Sequence, residues 1–242
     1  MLFRFSSTTC KGNAMKLNFL GTGAAYYPAL GSTSAWFTLG GSLYLIDCGE
    51  TTFSRMYSLR ELSTCGSIFV LLTHLHADHF GSLGSFTSYC KNVLRKVVTI
   101  VTPDKTIARV LALTGLTAQD YALCTDFSHP FPGGLTVTPV MVRHDPTINC
   151  YGYYLCDGSE TIYYGGDAQG MPDGVLEQLR SGSLCRVYQE VTYEHGAHPG
   201  HTSLEQLCAL VPQNLRSRTV CMHFGGDYVG KVLSCGFDVA QA

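Results

Sequence analysis

Residues 69–80 read FVLLTHLHADHF, and they carry the densest group of potential metal ligands in the chain. The stretch begins with four apolar residues, which are typical of a short buried β-strand that ends at Thr73. The polar residues that follow are His74, His76, Asp78 and His79. Neutral imidazoles and carboxylates are the ligands that Zn²⁺ and similar borderline ions prefer. A compact turn could direct these side chains to two neighbouring ions, whereas the alternative is a polar loop whose histidines are merely solvated.

The composition favours a single domain with a substantial core. The chain has 242 residues, of which 45% are hydrophobic, and α/β folds of this size commonly form one domain. We expect residues 1–14 to be an N-terminal tail and residues 15–242 to be the domain. The formal net charge is −2 and no basic tract is present, so the sequence shows no nucleic-acid footprint. Only 14% of the residues are charged, which favours a homodimer with a buried interface.

The eleven cysteines are scattered, and none forms a C-x-x-C pair. Several lie in strand-like runs, where a free cysteine behaves as a small apolar residue. We therefore expect a reducing, cytoplasmic setting, with neither a disulfide framework nor a thiolate zinc site. No apolar run approaches the ~18 residues of a membrane span, and the first residues lack the pattern of a signal peptide, so we expect no membrane partner.

Polar residues at the ends of β-rich runs indicate where a site would form. Strands that share a sheet edge bring such residues together even when they are far apart in sequence. The residues that directly follow β-rich runs are His74, His144, Asp167 and His223. The mixed order of strands and helices predicts an α/β fold, with two sheets sandwiched between helices and the site at the strand ends. We also expect one helix over residues 51–62, a hairpin over residues 151–164 and a last strand over residues 219–222.

The order of these residues resembles the H-x-H-x-D-H signature of the metallo-β-lactamase superfamily, followed by one histidine, an aspartate after glycine and a last histidine. The resemblance extends from LGTG near residue 20 to His223. It implies an αββα sandwich, two divalent metal ions (Zn²⁺, with Mn²⁺ also suitable) and hydrolysis by a metal-bound hydroxide. The ligands that it implies are His74, His76 and His144 for the first metal, Asp78, His79 and His223 for the second, and Asp167 as a bridge.

Within the superfamily, the sequence is similar to the ribonuclease Z branch of phosphodiesterases. The similar segments are LGTGAA, IDCGE, THLHADHFGSL, YYGGDA, EVTYE, GHTS and MHFGG. In that branch a glutamate and a histidine serve proton transfer to the leaving oxygen, and the matching positions are Glu190 and His201. A carboxylate beside an imidazole raises the pKa of the imidazole and keeps it protonated, as this role requires. Asp78 could also orient the metal-bound water or accept a proton from it.

Two departures from the ribonuclease Z pattern favour a small substrate. Only 22 residues separate His144 from Asp167, and the predicted hairpin occupies them, so the arm that clamps tRNA is missing. The last motif reads HFGGDY in place of His-Phe-Ser-Ser-Arg-Tyr, so the site lacks the cation of that motif. We expect a small phosphodiester such as a cyclic mononucleotide, as for arm-less relatives that cleave cyclic nucleotides. The tyrosines that could stack on a base, or equally lie in the core or an interface, are Tyr26, Tyr27, Tyr151 and Tyr153.

Three alternative functions stay open from the sequence. The first is a tRNA 3′ endonuclease that uses a partner subunit in place of the arm. The second is another metallo-β-lactamase-fold hydrolase. The segment His198-Pro-Gly-His201 resembles the ligand motif of glyoxalase II and lactonase relatives, in which the motif precedes the bridging aspartate. Here it follows Asp167, which argues against thioester or lactone hydrolysis. The third is a non-catalytic binding protein. We expect His129 to be a surface residue, and we favour a solvated loop for His195 and His198 over a secondary metal cluster or a substrate contact.

Overall fold

The computed structural model describes residues 15–193 and 199–242, whose strands form two six-stranded sheets with the same connectivity. In each sheet, the first three strands along the chain pair antiparallel and the third to sixth pair in parallel. The first sheet contains β1 (Asn18–Gly21), β2 (Ser34–Leu39), β3 (Ser42–Ile46), β4 (Ser67–Leu71), β5 (Val98–Val101) and β6 (Tyr121–Cys124). The second contains β7 (Thr136–Met141), β8 (Tyr151–Cys156), β9 (Thr161–Tyr164), β10 (Arg186–Glu190), β11 (Thr219–Met222) and β12 (Asp238–Val239).

The helices of the described residues are all short. They are α1 (Thr52–Met56), α2 (Arg60–Thr64), α3 (Ala77–Phe80), α4 (Leu83–Asn92), α5 (Thr106–Leu113), α6 (Val175–Ser181), α7 (Leu204–Leu210) and α8 (Val229–Ser234). Single turns of 3₁₀-helix lie at Pro28–Leu30 and Pro132–Gly134, and a longer one lies at Gln213–Arg218.

Three apolar clusters show how these elements are layered. Along β4, Phe69 and Leu71 pack into a central cluster that contains residues of both sheets. The alternate residues Ile68 and Val70 pack into a second cluster with residues of α4 and α5. A third cluster joins the outer face of the second sheet to α6, α7 and α8. Because strand side chains alternate between faces, a sheet that is buried on both sides reads as a continuous apolar run. The layering confirms the predicted αββα sandwich.

Several element boundaries differ from the sequence prediction. The single helix expected over residues 51–62 is wrong: Leu59 adopts an extended conformation (φ −68°, ψ 128°), which separates α1 from α2. The strand at Thr219–Met222 is present but is not the last, since β12 adds two residues beyond it. Short elements such as β6 and α8 were not predicted, because an element of only four to six residues gives a weak periodic signal. The hairpin of β8 and β9 is confirmed with its expected strands.

The cysteines of the described residues are mostly free thiols. Nine of them are free, as expected, and the exception is Cys185, which is disulfide-bonded. That bond is a departure from the expectation of a chain without disulfides. Among the helices of residues 15–193 and 199–242, none has the length and apolar character needed to cross a bilayer.

Candidate active site

The loop after β4 and the short helix α3 carry the four polar residues of the HLHADH stretch. His76 is the N-cap of α3 and has an extended backbone (φ −78°, ψ 148°), so the chain changes from loop to helix between the predicted ligands His74 and Asp78. His74, Asp78 and His79 are buried. The side chain of His76 is 38% exposed and forms part of a cavity wall. One side of the site is therefore built from a single short segment.

The second sheet supplies the other side of the site from separate strand ends. His144 follows β7, Asp167 lies three residues beyond the end of β9, and His223 directly follows β11. Glu190 is the last residue of β10. Because β9, β10 and β11 are parallel, their carboxyl ends meet at one edge of the sheet. The structure thus brings all of the predicted site residues together.

The first group of predicted ligands contains only histidines. The Nδ1 atom of His76 lies 3.1 Å from Nε2 of His74 and 3.1 Å from Nε2 of His144. His144 Nδ1 donates to the carbonyl oxygen of Gly200 at 3.0 Å, which leaves the lone pair on Nε2. Burial lowers the pKa of His74 well below its usual range and keeps that ring neutral. Three imidazole nitrogens therefore converge on one point.

The second group combines two carboxylates with two imidazoles. Nε2 of His79 lies 3.3 Å from Asp78 Oδ2 and 3.3 Å from Asp167 Oδ1. Nε2 of His223 lies 3.2 Å from Asp78 Oδ2 and 3.3 Å from Asp167 Oδ2. The same Asp167 oxygen is 3.7 Å from Nε2 of His144 and 4.0 Å from Nε2 of His74. The carboxylate of Asp167 therefore lies between the two groups, where a bridging ligand would be.

Asp47, a fully buried residue directly after β3, fixes the orientation of His79 and was not predicted as a site residue. Its Oδ2 accepts a 2.8 Å hydrogen bond from Nδ1 of His79, and its carboxylate also accepts from the backbone N–H and the hydroxyl of Thr73, each at 2.8 Å. Since Nδ1 carries the proton, the lone pair of His79 is on Nε2. The available signals were an acidic residue at a strand end and its place in the similar segment IDCGE.

Two non-glycine residues of the site have left-handed backbone. They are Asp47 (φ 60°) and His223 (φ 63°), and each is the first residue after a strand. Non-glycine residues rarely adopt this conformation, which costs on the order of 1–3 kcal/mol per residue. The surrounding fold therefore stabilises an unfavourable backbone at two positions whose side chains belong to the site.

The donor set fits divalent metal ions. Nε2 of His79 is buried and has no hydrogen-bond partner, although it faces two carboxylates. Burial opposes a charge on this ring, but the carboxylates of Asp167, Asp78 and Asp47 outweigh it and raise the pKa of His79 well above its usual range. The space between Nε2 and the carboxylates is therefore unfavourable unless a cation or a proton occupies it. Imidazole and carboxylate together suit Zn²⁺ and Mn²⁺. The residues present are therefore compatible with a metal-dependent enzyme.

His201 and Glu190 form a pair beside the predicted ligands. Nδ1 of His201 donates to Glu190 Oε2 at 3.0 Å, while the other carboxylate oxygen accepts from the backbone N–H groups of Ala168 and Thr202, each at 3.1 Å. Burial opposes protonation of the ring, but the hydrogen bond and the charge of Glu190 outweigh it and raise the pKa of His201 to about 9. The following helix α7 is fixed at its start by a capping box between Ser203 and Gln206.

A cavity of about 790 Å³ opens onto this cluster. Its wall contains His76, His144, Asp167 and His201, and it also contains Tyr26, Tyr193 and Lys231. Cavities of this size hold small-molecule ligands. The β8–β9 hairpin accounts for most of the chain between His144 and Asp167, so no clamping arm is inserted there.

The remaining sequence predictions have different outcomes. Tyr26 is 91% exposed at the cavity, whereas Tyr153 is fully buried in the core, where its hydroxyl donates to the carbonyl oxygen of Leu72. His129 is exposed, as expected. The HFGGDY motif has no lysine or arginine, as the sequence shows, but Lys231 lies in the cavity wall; a lysine on an unpredicted helix gave no sequence signal. The predictions for His195 and His198 lie outside the described residues.

Comparison with known proteins agrees with this geometry. The family model described as anti-Pycsar protein Apyc1 matches residues 15–237. The chain belongs to the Apyc1 family. An Apyc1 protein of Paenibacillus sp. (strain J14) is 28% identical over 233 residues, which cover 88% of this chain and 91% of that relative. A ribonuclease Z of Mycobacterium sp. (strain KMS) is 26% identical over 230 residues, which cover 86% of this chain and 75% of that relative.

A solved structure extends the comparison to the whole fold. The metallo-β-lactamase fold protein YhfI from Bacillus subtilis superposes with a TM-score of 0.73 at 19% identity, and the match covers 95% of this Apyc1-family chain and 97% of YhfI. The predicted superfamily, its ribonuclease Z-like branch and the fold class are therefore confirmed. Family and donor set together identify a metal-dependent hydrolase of the phosphodiesterase class.

Proposed function

We propose that this Apyc1-family protein hydrolyses a cyclic mononucleotide at a centre of two divalent metal ions. One observation carries the proposal: the seven predicted ligands fall into two groups with the Asp167 carboxylate between them. Both groups and the His201–Glu190 pair border the same 790 Å³ cavity or lie directly beneath it. Phosphodiester hydrolysis needs an activated water, neutralisation of the phosphate charge and a proton for the leaving oxygen, and this arrangement offers all three.

The metals in this proposal are Zn²⁺ ions, with Mn²⁺ as the alternative. The first would be held by His74, His76 and His144, the second by Asp78, His79 and His223, and Asp167 would bridge them. Two such cations would supply an activated water and would stabilise the charge that develops on the phosphate. The chain itself sets their positions, since Asp47 orients His79 and the carbonyl of Gly200 orients His144.

His201 is the proton donor in this mechanism. Glu190 holds Nδ1 of the ring and favours the protonated form, so Nε2 can carry the proton to be given to the leaving oxygen. The backbone N–H groups of Ala168 and Thr202 hold the Glu190 carboxylate in place. Asp78, at the junction of His79 and His223, could in addition orient the attacking water or accept its proton.

A small cyclic substrate is supported by the size of the site and by the family. The cavity has the volume of a mononucleotide site, and the arm that ribonuclease Z enzymes use for tRNA is missing. The Apyc1 family acts on small cyclic nucleotides. We further propose a homodimer in the cytoplasm, on the low charge content and the predominance of free thiols.

The test is hydrolysis of a panel of substrates by protein loaded with Zn²⁺ or Mn²⁺. The panel contains 3′,5′- and 2′,3′-cyclic nucleotides, bis(p-nitrophenyl) phosphate and a precursor tRNA. We expect turnover of at least one cyclic nucleotide, and loss of that turnover in Asp167→Ala. The matched control is Asp173→Ala, which removes an exposed aspartate away from the cavity and should leave turnover unchanged.

Other outcomes would overturn the proposal in distinguishable ways. Cleavage of the precursor tRNA without turnover of any cyclic nucleotide would establish the ribonuclease Z activity instead. No activity on any phosphodiester, with two metal ions bound per chain, would direct attention to another substrate class or to a binding function.

A further inference from the structure

Lys231 gives the cavity a basic side chain, which the HFGGDY motif lacks. Among the described residues that line the cavity, it is the only lysine or arginine. The carboxylates in the same wall are Asp78, Asp145, Asp167 and Asp227. A nucleotide brings at least one negative charge of its own into this acidic surrounding, whereas two divalent ions would only balance the charges of the four carboxylates. A local cation in the wall would therefore strengthen the binding of a phosphate group.

An aromatic support fixes the position of Lys231. Its Nζ atom lies 4.2 Å from the ring centroid of Tyr193 and donates to the hydroxyl of that residue. The Tyr193 ring stacks on Tyr228, with centroids 5.6 Å apart and 29° between the planes. The Tyr228 hydroxyl donates to the carbonyl oxygen of Val191 at 2.7 Å and accepts from the N–H of Gly225 at 3.0 Å. The exposed Lys231 is thus held in position by Tyr193, which packs on Tyr228 of the HFGGDY motif, and Tyr228 is in turn hydrogen-bonded to Val191 at the end of β10.

The two glycines of that motif keep the approach to Lys231 open. A Cβ atom on Gly225 would meet no other atom within 4 Å, and one on Gly226 would make only ordinary contact with Tyr228. Both glycines line the cavity, and in the sequence they lie between His223 and Lys231. Small residues here leave space for a ligand that touches both the predicted metal ligand and the lysine.

We propose that Lys231, positioned by Tyr193 and Tyr228, contacts the phosphate group of the bound nucleotide and thereby replaces the cation missing from the HFGGDY motif. The proposal rests on the proposed function for its ligand class, a nucleoside phosphate. The ammonium group has three N–H donors, of which the Tyr193 hydroxyl takes one, so the others can be directed at phosphate oxygens. Lys231 is a specificity-determining residue in this scheme, since its charge selects nucleotides over uncharged nucleosides.

The test compares the binding of a nucleoside 5′-monophosphate and of the corresponding nucleoside to metal-loaded protein by calorimetry. Lys231→Met should weaken monophosphate binding by about tenfold or more, as expected for loss of a charge-assisted hydrogen bond, and should change nucleoside binding by roughly twofold at most. Lys231→Arg keeps the charge and should recover most of the affinity. Lys105→Met removes an exposed lysine outside the cavity and should behave as the wild type.

Two results would overturn the inference. Equal losses for nucleoside and monophosphate would mean that Lys231 supports the pocket instead of contacting phosphate. No loss of monophosphate binding would show that Lys231 does not contact the phosphate at all.

Tyr193→Phe gives an independent check, because it keeps the ring but deletes the hydroxyl that holds Nζ. We expect a smaller loss of affinity that is again confined to the monophosphate. In the hydrolysis assay, Lys231→Met should raise KM more than it lowers kcat. Wild-type protein that binds monophosphate through Lys231 but hydrolyses no cyclic nucleotide would refute the proposed function and leave this inference standing.

Discussion

The sheet of β1–β6 supplies its predicted ligands from one short segment after β4, whereas the sheet of β7–β12 supplies its site residues from four strand ends. The two sheets have the same order of antiparallel and parallel pairs, so connectivity does not explain the difference. In the first half, α3 begins within the ligand segment and folds it into a compact group. In the second half, parallel strands bring distant residues to one edge. The half of the site that follows β4 can therefore be recognised as a sequence motif, whereas the half from the second sheet becomes visible only in the folded structure.

The largest effects should come from removing one imidazole on either side of this comparison. We expect His79→Ala and His223→Ala each to lower turnover of the cyclic nucleotide by about 10³-fold or more, because each loses a ligand whose cation contributes several kcal/mol to the reaction. Metal content measured by mass spectrometry should fall in both variants. His129→Ala removes an exposed histidine and serves as the control. Full metal content and turnover in His223→Ala would show that the dispersed half does not complete the metal site.

A loss of turnover without loss of metal is expected for His201→Ala. This variant removes the proposed proton donor, which typically contributes about 10²–10⁴-fold to the rate, and keeps all seven predicted ligands. Steady-state kinetics beside metal analysis would check it, again with His129→Ala as the control. Loss of metal in parallel with activity would contradict the assignment and would make His201 a ligand. The test is needed because Nδ1 of His201 lies only 4.0 Å from Oδ2 of Asp167, which is itself a predicted ligand.

The smallest effect concerns the residue that orients a ligand without touching the metal itself. Asp47→Asn keeps the size of the side chain but weakens its hold on Nδ1 of His79. We expect metal affinity to fall about 10- to 100-fold, as is usual for such supporting residues, while saturating metal restores most of the turnover. Competition with a chromogenic chelator would measure the affinity, and Asp173→Asn is the matched control. An unchanged affinity would mean that α3 alone orients His79.

The outcome of the sequence predictions follows the same division. The HLHADH stretch was recognisable because its residues are adjacent, and the superfamily resemblance then indicated His144, Asp167 and His223 in the right order. The structure brings these side chains together in the two predicted groups, while their roles as ligands stay predictions. Asp47 was not predicted because one carboxylate after a strand is indistinguishable from any other until its partners Thr73 and His79 are known.

The sequence by itself determined the superfamily, the αββα architecture, the hairpin in place of a clamping arm and the residue types available for metal binding. Those properties depend on the order and spacing of motifs along the chain and on apolar periodicity, all of which can be observed in the sequence without knowing which residues are in contact. Only the tertiary structure decided that Lys231 reaches the cavity, that Tyr153 belongs to the core and that one expected helix is split at Leu59. These depend on which surfaces pack against each other, since burial and contact between distant residues leave no periodic trace along the chain.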